Sequence, residues 1–392
     1  MWRLMAVVLA VVGCGDASGP SVPDALKDSI ETITVTGASS LVWTKTAKLT
    51  ATANFVSGKT LDVTTGTTWS SASPTVASID STGLLTAIDA GSAMVHATYN
   101  GVDGAATVTV TMPELAVSSF NNGGIDFFPA NATGNVAPVR SIRGALTTLS
   151  EPRGLAVVGN ELFVADQGTG SIDVFAIDAT GNVAPLRRIN GTLTTLSAPS
   201  QIAVNDTEIF IGDQSTSVRV FPKSGNGNVA PSRTISGPSI GDTLGVAVTA
   251  TELFISNYGG STITVVPLAS SGTTTSTRTI AGPTTGISGP QGLLVVNGEL
   301  FAAQGGSSAL SVFDPSATGD QPPYRLLQGT STMLGYPDEF AVLGARVYSA
   351  NYSNSTVQVY DLTASGNTAP IATISGALTG ISGDLGLVLI GL

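Results

Sequence analysis

Six times along this chain a short alternating run ends in a residue with a side-chain oxygen: Ser119, Asp166, Asp213, Asn257, Gln304 and Asn351. The residue after each is Phe120, Gln167, Gln214, Tyr258, Gly305 or Tyr352. A second series, where another run begins, holds Arg153, Ser200, Leu244, Gln291, Asp338 and Leu385, with Glu339 beside Asp338. Carboxylate and amide oxygens gathered in one place could hold a hard cation such as Ca²⁺, which takes about six to eight oxygen ligands. Asp213, Asp338 and Glu339 are the candidates for such a site. The competing chemistry is local: Asp and Asn at strand ends bond the backbone of the following turn. Recurrence of one residue type in most copies fits that structural role better than a single site, so no metal or other cofactor is expected. A hydrolase acting on a lactone or ester through a divalent metal would draw on Asp338, Glu339, Asp213 and Asn257. Nucleophilic chemistry finds no base, because the only histidine is His96 and the only cysteine is Cys14. Zinc sites built from several His or Cys are excluded on the same count.

The elements that would position these residues follow from composition and pattern. Charged residues are 11% of 392, and acids exceed bases by 27 to 16. So few charges argue against exposed helix surface, which is usually covered with Lys, Glu and Arg. With no Lys/Arg cluster, a nucleic-acid partner is excluded. At the N-terminus Arg3 precedes the apolar run Leu4 to Val12. The run is shorter than the roughly 20 residues of a membrane span and suits the apolar part of a signal peptide. Val11-Val12-Gly13-Cys14 resembles a bacterial lipobox. That resemblance implies removal of residues 1–13, a diacylglycerol on Cys14, and a membrane-anchored lipoprotein of the bacterial cell envelope, periplasmic or at the cell surface. Residues 14–29, rich in Gly, Ser and Pro, read as a flexible tether.

Residues 30–111 alternate apolar and polar side chains in short runs, as in Ile33-Thr-Val35 and Ala106-Thr-Val108-Thr-Val110, the mark of half-buried strands. Trp69 supplies a large apolar payload, and Asp80 to Gly83 reads as a tight turn. His96 lies between Val95 and Ala97, which share the opposite face of the strand, so it reads as solvent-facing. The stretches Thr68 to Ala87, Gly91 to Val95 and Ala97 to Gly101 resemble the bacterial Ig-like group 2 domain, which implies a β-sandwich.

The remaining residues, 114–392, repeat. Glu114-Leu-Ala-Val, Glu161-Leu-Phe-Val, Glu208-Ile-Phe-Ile, Glu252-Leu-Phe-Ile, Glu299-Leu-Phe-Ala and Arg346-Val-Tyr-Ser recur at intervals of 47, 47, 44, 47 and 47 residues. Each is followed by a second alternating run, a Gly-Asn-Val-Ala-Pro-like turn (from Gly134, Gly181, Gly227 and, relaxed, Gly366), a third run, and a Pro-x-Gly start to a fourth. Four short strands in that period specify a β-propeller blade rather than a helical solenoid. The first copy lacks its innermost strand, and Leu385 to Ile390 at the chain's end matches Gly154 to Val157. The fold class expected is therefore all-β: an Ig-like β-sandwich, then a six-bladed β-propeller closed by the C-terminal strand. This region resembles the NHL-repeat and gluconolactonase-like propellers. The latter would imply a divalent metal held by Glu, Asn and Asp at the Pro-x-Gly positions, but Arg153, Ser200 and Gln291 stand there, and only Pro337-Asp338-Glu339 retains acids.

Arg140, Arg187, Arg233, Arg278 and Arg325 recur on the fourth strand, with Ala372 breaking the series. They read as protection of an outer strand edge against sheet-to-sheet pairing, with a belt for an acidic partner as the alternative. A propeller offers two end faces. One is expected to carry the hairpin turns, such as Val158-Gly-Asn160, and the Gly-Asn turns. The other gathers Phe120, Asn121, Asn122, Gln167, Gln214, Tyr258, Tyr336 and Tyr352 beside Asp166, Asp213, Asn257, Asn351, Asp338 and Glu339. Because aromatic rings among amides offer apolar faces and hydrogen bonds together, a ligand is expected there. The sequence thus reads as a monomeric, lipid-anchored binding or scaffolding protein on an Ig-like stalk, its partner a glycan, a peptide or an envelope protein.

Overall fold

The computed structural model describes residues 28–383 and 386–391. The signal peptide, Cys14, nearly all of the tether and Leu385 lie outside the described residues. The chain divides into two compact units between Thr111 and Met112. Among the described residues both are built of strands and single 3-10 turns, with no α-helix.

The first unit has three sheets. Ile30–Thr36, Thr50–Phe55 and Thr60–Asp62 form one, and Ser40–Val42, Val102–Thr111, Gly91–Tyr99 and Thr68–Ser71 form another. Thr46–Lys48, Leu84–Ala87 and Ala77–Ile79 make the third. The inward members of each alternation, among them Ile33, Leu49, Trp69, Leu85, Val95 and Val108, close one core. Trp69 can be buried because its indole N–H donates to the Thr64 carbonyl at 3.1 Å. The Asp80 carboxylate accepts the backbone N–H groups of Thr82 and Leu84, and Gly83 takes φ +84°, which makes the turn anticipated there. His96 faces solvent and bonds Asp103 at 2.8 Å.

The second unit is a succession of six sheets. Pro152–Val158, Glu161–Asp166, Ser171–Ala176 and Arg187–Ile189 make the second, each strand antiparallel to the next. The others repeat this plan, and the third gains the short parallel strand Gly272–Thr273. In the first sheet the inner strand is Leu387–Ile390, antiparallel to Glu114–Val117. Each inner strand lies beside those of the neighbouring sheets, and Leu387–Ile390 lies between Pro337–Leu343 and Pro152–Val158. The fold is β-propeller-like. Between sheets the apolar residues of all four strands interdigitate, as where Ile125, Phe127 and Ile142 meet Leu155, Val164 and Phe175.

Two repeated polar devices fasten sheet to sheet, and both differ from the sequence expectation. The fourth-strand arginines are neither bare edge charges nor a free basic belt. Each reaches across the third strand to the glutamate that opens the second: Arg140 to Glu114, Arg187 to Glu161, Arg233 to Glu208, Arg278 to Glu252 and Arg325 to Glu299. Four of these guanidinium groups also donate to backbone carbonyls of the next sheet, as Arg140 does to Ile177 at 2.9 Å. In the sixth sheet both partners are absent, with Arg346 and Ala372 in their places. Tyr348 replaces them there: its hydroxyl donates to the Ala130 carbonyl at 2.7 Å. The Gly-Asn turns, expected on the hairpin end face, instead dock on the preceding sheet, where Asn182 Oδ1 accepts the Leu146 N–H at 2.8 Å. Gly144 must be glycine for this approach, since its φ is +128° and a Cβ would lie 2.5 Å from the Asn182 amide carbon. Asn135 makes the same bond to Leu378 N–H, joining the first sheet to the connection that follows the sixth.

Candidate functional site

The oxygen-bearing series at the second-strand ends is buried: Asp166, Asp213, Gln304 and Asn351 have no exposed surface. Their side chains act on the connection leading into their own sheet rather than mainly on the turn that follows. Asp166 accepts from Ser150 N–H, Asp213 from Ser197, Asn257 from Gly241, Gln304 from Ser288 and Asn351 from Gly335, each sixteen residues upstream. Such a bond holds the start of each inner strand at the end of the second. Only Asp166 also takes a hydroxyl from the following turn, that of Thr169. Ser119 departs from the series, donating to the Gly380 carbonyl at 3.2 Å. Asp213 is further committed to Arg219 at 2.5 Å, and burial nonetheless pushes its carboxyl up against the pull of the Ser197 N–H and that cation. Phe120 is half-buried, and Asn121 and Asn122 are exposed.

The Pro-x-Gly starts do converge. Arg153, Ser200, Leu244, Gln291 and Asp338 line one cavity of about 20 Å³, room for roughly one water. Arg153 stands 3.8 Å from Asp338. One position further along each strand the residues are Gly154, Gln201, Gly245, Gly292, Glu339 and Gly386. Glycine is demanded where a Cβ would strike a neighbouring carbonyl, as Gly154 would the Ser200 oxygen at 2.5 Å. The two exceptions, three sheets apart, line the same cavity. Gln201 Oε1 also accepts the N–H groups of Val246 and Leu293, at 2.8 and 3.1 Å. Glu339 accepts that of Leu387, at 2.7 Å, with the Leu155 N–H close by. Two side chains therefore fasten inner strands together, Gln201 those of the third, fourth and fifth sheets and Glu339 those of the sixth and first. Burial pushes the Glu339 carboxyl up to about 8, against the opposing pull of those N–H donors, the Gln201 amide and the Arg153 charge. Gln201 was missed in the sequence, although its break in the glycine pattern, three copies before Glu339, was the available signal.

The four residues a metal hydrolase would need do not meet: Asp338 and Glu339 line the axial cavity, and Asp213 and Asn257 do not. Among the described residues no group of three or more His, Cys, Asp or Glu is placed to hold a metal ion. The tyrosines do meet. Tyr258 and Tyr336 join hydroxyl to hydroxyl at 3.0 Å, and Gln291 Nε2 donates to the Tyr336 hydroxyl at 2.8 Å. Tyr352 packs edge-on against Tyr336, ring centroids 5.8 Å apart, and remains 45% exposed. Beside them Gln214 and Arg153 both reach Gln167 Oε1 at 3.4 Å. The result is a shallow face of aromatic edges and amides, brought together from five of the six sheets.

Comparison with known proteins agrees with this division. Residues 29–110 match the bacterial Ig-like domain (group 2). A chain in the crystal structure of a nidogen/laminin complex superimposes with a TM-score of 0.53 at 17% identity, over 71% of this chain and 98% of that one. That likeness is one of fold, and it falls on an all-β, propeller-like architecture. A functionally unknown protein from Desulfotomaculum acetoxidans DSM 771 aligns over 66% of this chain and 79% of its own at 13% identity, with a TM-score of 0.45. No curated protein matches the chain.

Proposed function

We propose that this chain is a lipid-anchored protein of the bacterial cell envelope whose second unit, a six-bladed β-propeller closed by Leu387–Ile390, is a binding module. The Ig-like domain serves as its spacer. The tyrosine cluster carries the reading: Tyr258, Tyr336 and Tyr352, from separate repeats, form one partly exposed group held by Gln291. The cavity beneath this face holds only about 20 Å³, which favours an extended polar polymer lying across it, a glycan or a peptide, over a small molecule entering it. Aromatic rings supply contact area at low entropic cost, and the amides supply direction.

Arrays of envelope glycans and of extended peptides, probed with the purified chain, test the binding role. Replacing both Tyr258 and Tyr352 with Ala should abolish capture while leaving the melting temperature within a few degrees. Loss of fold, or undiminished capture, would refute the assignment. Anchoring is tested by Cys14→Ser, which should move the protein from the membrane to the soluble fraction; unchanged sedimentation with membranes would refute it.

A further inference from the structure

In each sheet of the second unit the end of the second strand stands diagonally across from the middle of the third. In most sheets the two side chains there answer one another. Asp213 meets Arg219 at 2.5 Å, Asn257 donates to Thr264 at 2.9 Å, and Ser119 donates to Asp126 at 3.3 Å. Only the second sheet carries an acid at both places, Asp166 and Asp173, and neither has exposed surface.

Hydroxyl groups join these two carboxyls. Asp166 Oδ2 lies 2.6 Å from Thr169 Oγ1, that oxygen 2.8 Å from Ser171 Oγ, and Ser171 Oγ 2.6 Å from Asp173 Oδ2. All three contacts have hydrogen-bond length, and each needs a proton between its oxygens. Thr169 and Ser171 bring one proton apiece. The third has to come from a carboxyl. Placed on Asp173, it completes a one-way chain in which Asp173 donates to Ser171, Ser171 to Thr169 and Thr169 to Asp166. Arg188 does not remove the need: its Nε stands 3.3 Å from Asp173 Oδ1 without hydrogen-bond alignment. Its terminal nitrogen donates to Ser171 Oγ at 3.2 Å, which leaves the Ser171 proton for Thr169. Asp166 and Arg188 are the charges that act on Asp173, and the connection from the first sheet adds the Thr148 hydroxyl at 3.4 Å. Burial pushes the Asp173 carboxyl up to about 6 and the Asp166 charge pushes the same way, against Ser171 and Arg188.

The chain lies where two loops meet. Asp166 also accepts the N–H groups of Ser150 and Glu151, and the Gln167 N–H donates to the Glu151 carbonyl at 3.0 Å. Without the extra proton, Ser171 and Thr169 each donate to their own carboxylate. The contact between them then sets lone pair against lone pair, beside two buried negative charges.

We propose that Asp173 holds a proton shared through Ser171 and Thr169 with Asp166, and that losing it as pH rises loosens the turn 167–170 and the connection 148–151. This latch does not depend on what the tyrosine face binds. Its stabilisation is complete below the ordinary aspartate value of 3.8 and is lost as pH rises through about 6. The full chain with isotopically labelled aspartate carboxyls, followed by NMR, leaves Glu339 silent. The resonance missing from Asp173→Asn should titrate well above the ordinary value, and Asp166→Asn, which removes the neighbouring charge, should lower its midpoint. Hydrogen exchange corrected for intrinsic rates should show protection of 148–151 and 167–170 falling roughly tenfold between pH 5 and 7.5. The matching segments of the fifth sheet, 286–289 and 305–308, should hold theirs, because Gln304 and Ser311 cannot ionise; this comparison within the wild type stands whatever the variants do to folding. Asp173→Asn, whose amide can donate to Ser171, should keep its protection at both pH values. An Asp173 midpoint in the ordinary range, an unmoved midpoint in Asp166→Asn, or an equal pH response in the two sheets or in Asp173→Asn would each overturn the proposal.

Discussion

Replacing Glu339 with Gln isolates the buried carboxyl that accepts the Leu387 N–H. Its ordinary value of 4.5 is raised by burial to about 8. A carboxyl raised in the folded state binds its proton more tightly there than in the unfolded chain. Stability is therefore highest below pH 4.5 and declines as pH rises toward 8, by up to ~1.4 kcal/mol per pH unit. Over the whole window the loss is on the order of 4–5 kcal/mol, a large part of the roughly 5–15 kcal/mol that stabilises a domain. Asp173, raised to about 6 by burial, contributes in the same direction at lower pH, so the interval from 6 to 8 belongs mainly to Glu339. There the wild type should lose on the order of 2–3 kcal/mol. Gln mimics the protonated acid: its carbonyl can still accept the Leu387 N–H, and it cannot ionise. Urea unfolding at pH 6, 7 and 8.5, followed by circular dichroism, reads the effect. All three tryptophans, Trp2, Trp43 and Trp69, precede the second unit, so their emission follows the Ig-like domain separately as an internal control. The variant should already exceed the wild type by about 2 kcal/mol at pH 6, with the gap widening further by pH 8.5. Parallel profiles for the two proteins from pH 6 to 8.5 would refute the argument.

Deleting Gly386–Leu392 removes Leu387, Leu389 and Ile390, which are 3%, 6% and 8% exposed. At about 1.5–3 kcal/mol each, the loss should unfold or aggregate the second unit while tryptophan emission from the first is unchanged, and a wild-type melting curve would contradict the role of the last strand. Arg325 and Glu299 meet through two hydrogen bonds of 2.7 and 2.8 Å. A double-mutant cycle with Arg325→Ala and Glu299→Ala, followed by chemical unfolding, should give a coupling of about 1–2 kcal/mol, whereas additive effects would reduce the pair to unconnected surface charges.

How much could be read without coordinates depended on the range of each interaction. Strands, turns and the repeat were legible because their determinants lie within a few residues: alternation around Val108 and Phe175, the Asp80 to Gly83 turn, and the return of Glu-Leu-Phe at near-constant intervals. The match of the last strand to the inner strand of other copies was legible for the same reason, since a missing member of a regular series is visible. The burial of Asp166 and Asp213 was not, because a carboxylate at a strand end looks alike whether it faces solvent or takes two backbone N–H groups. The Arg–Glu pairs lay half in view: both partners recur, and the sixth copy loses both at once, but only the sheet shows that the guanidinium crosses the intervening strand. Gln201 and Glu339 are far apart in the chain, and no local rule joins them. They meet because the packing of successive inner strands brings the third and sixth sheets to one cavity, and that same packing turns a residue repeated once per sheet into the wall of another.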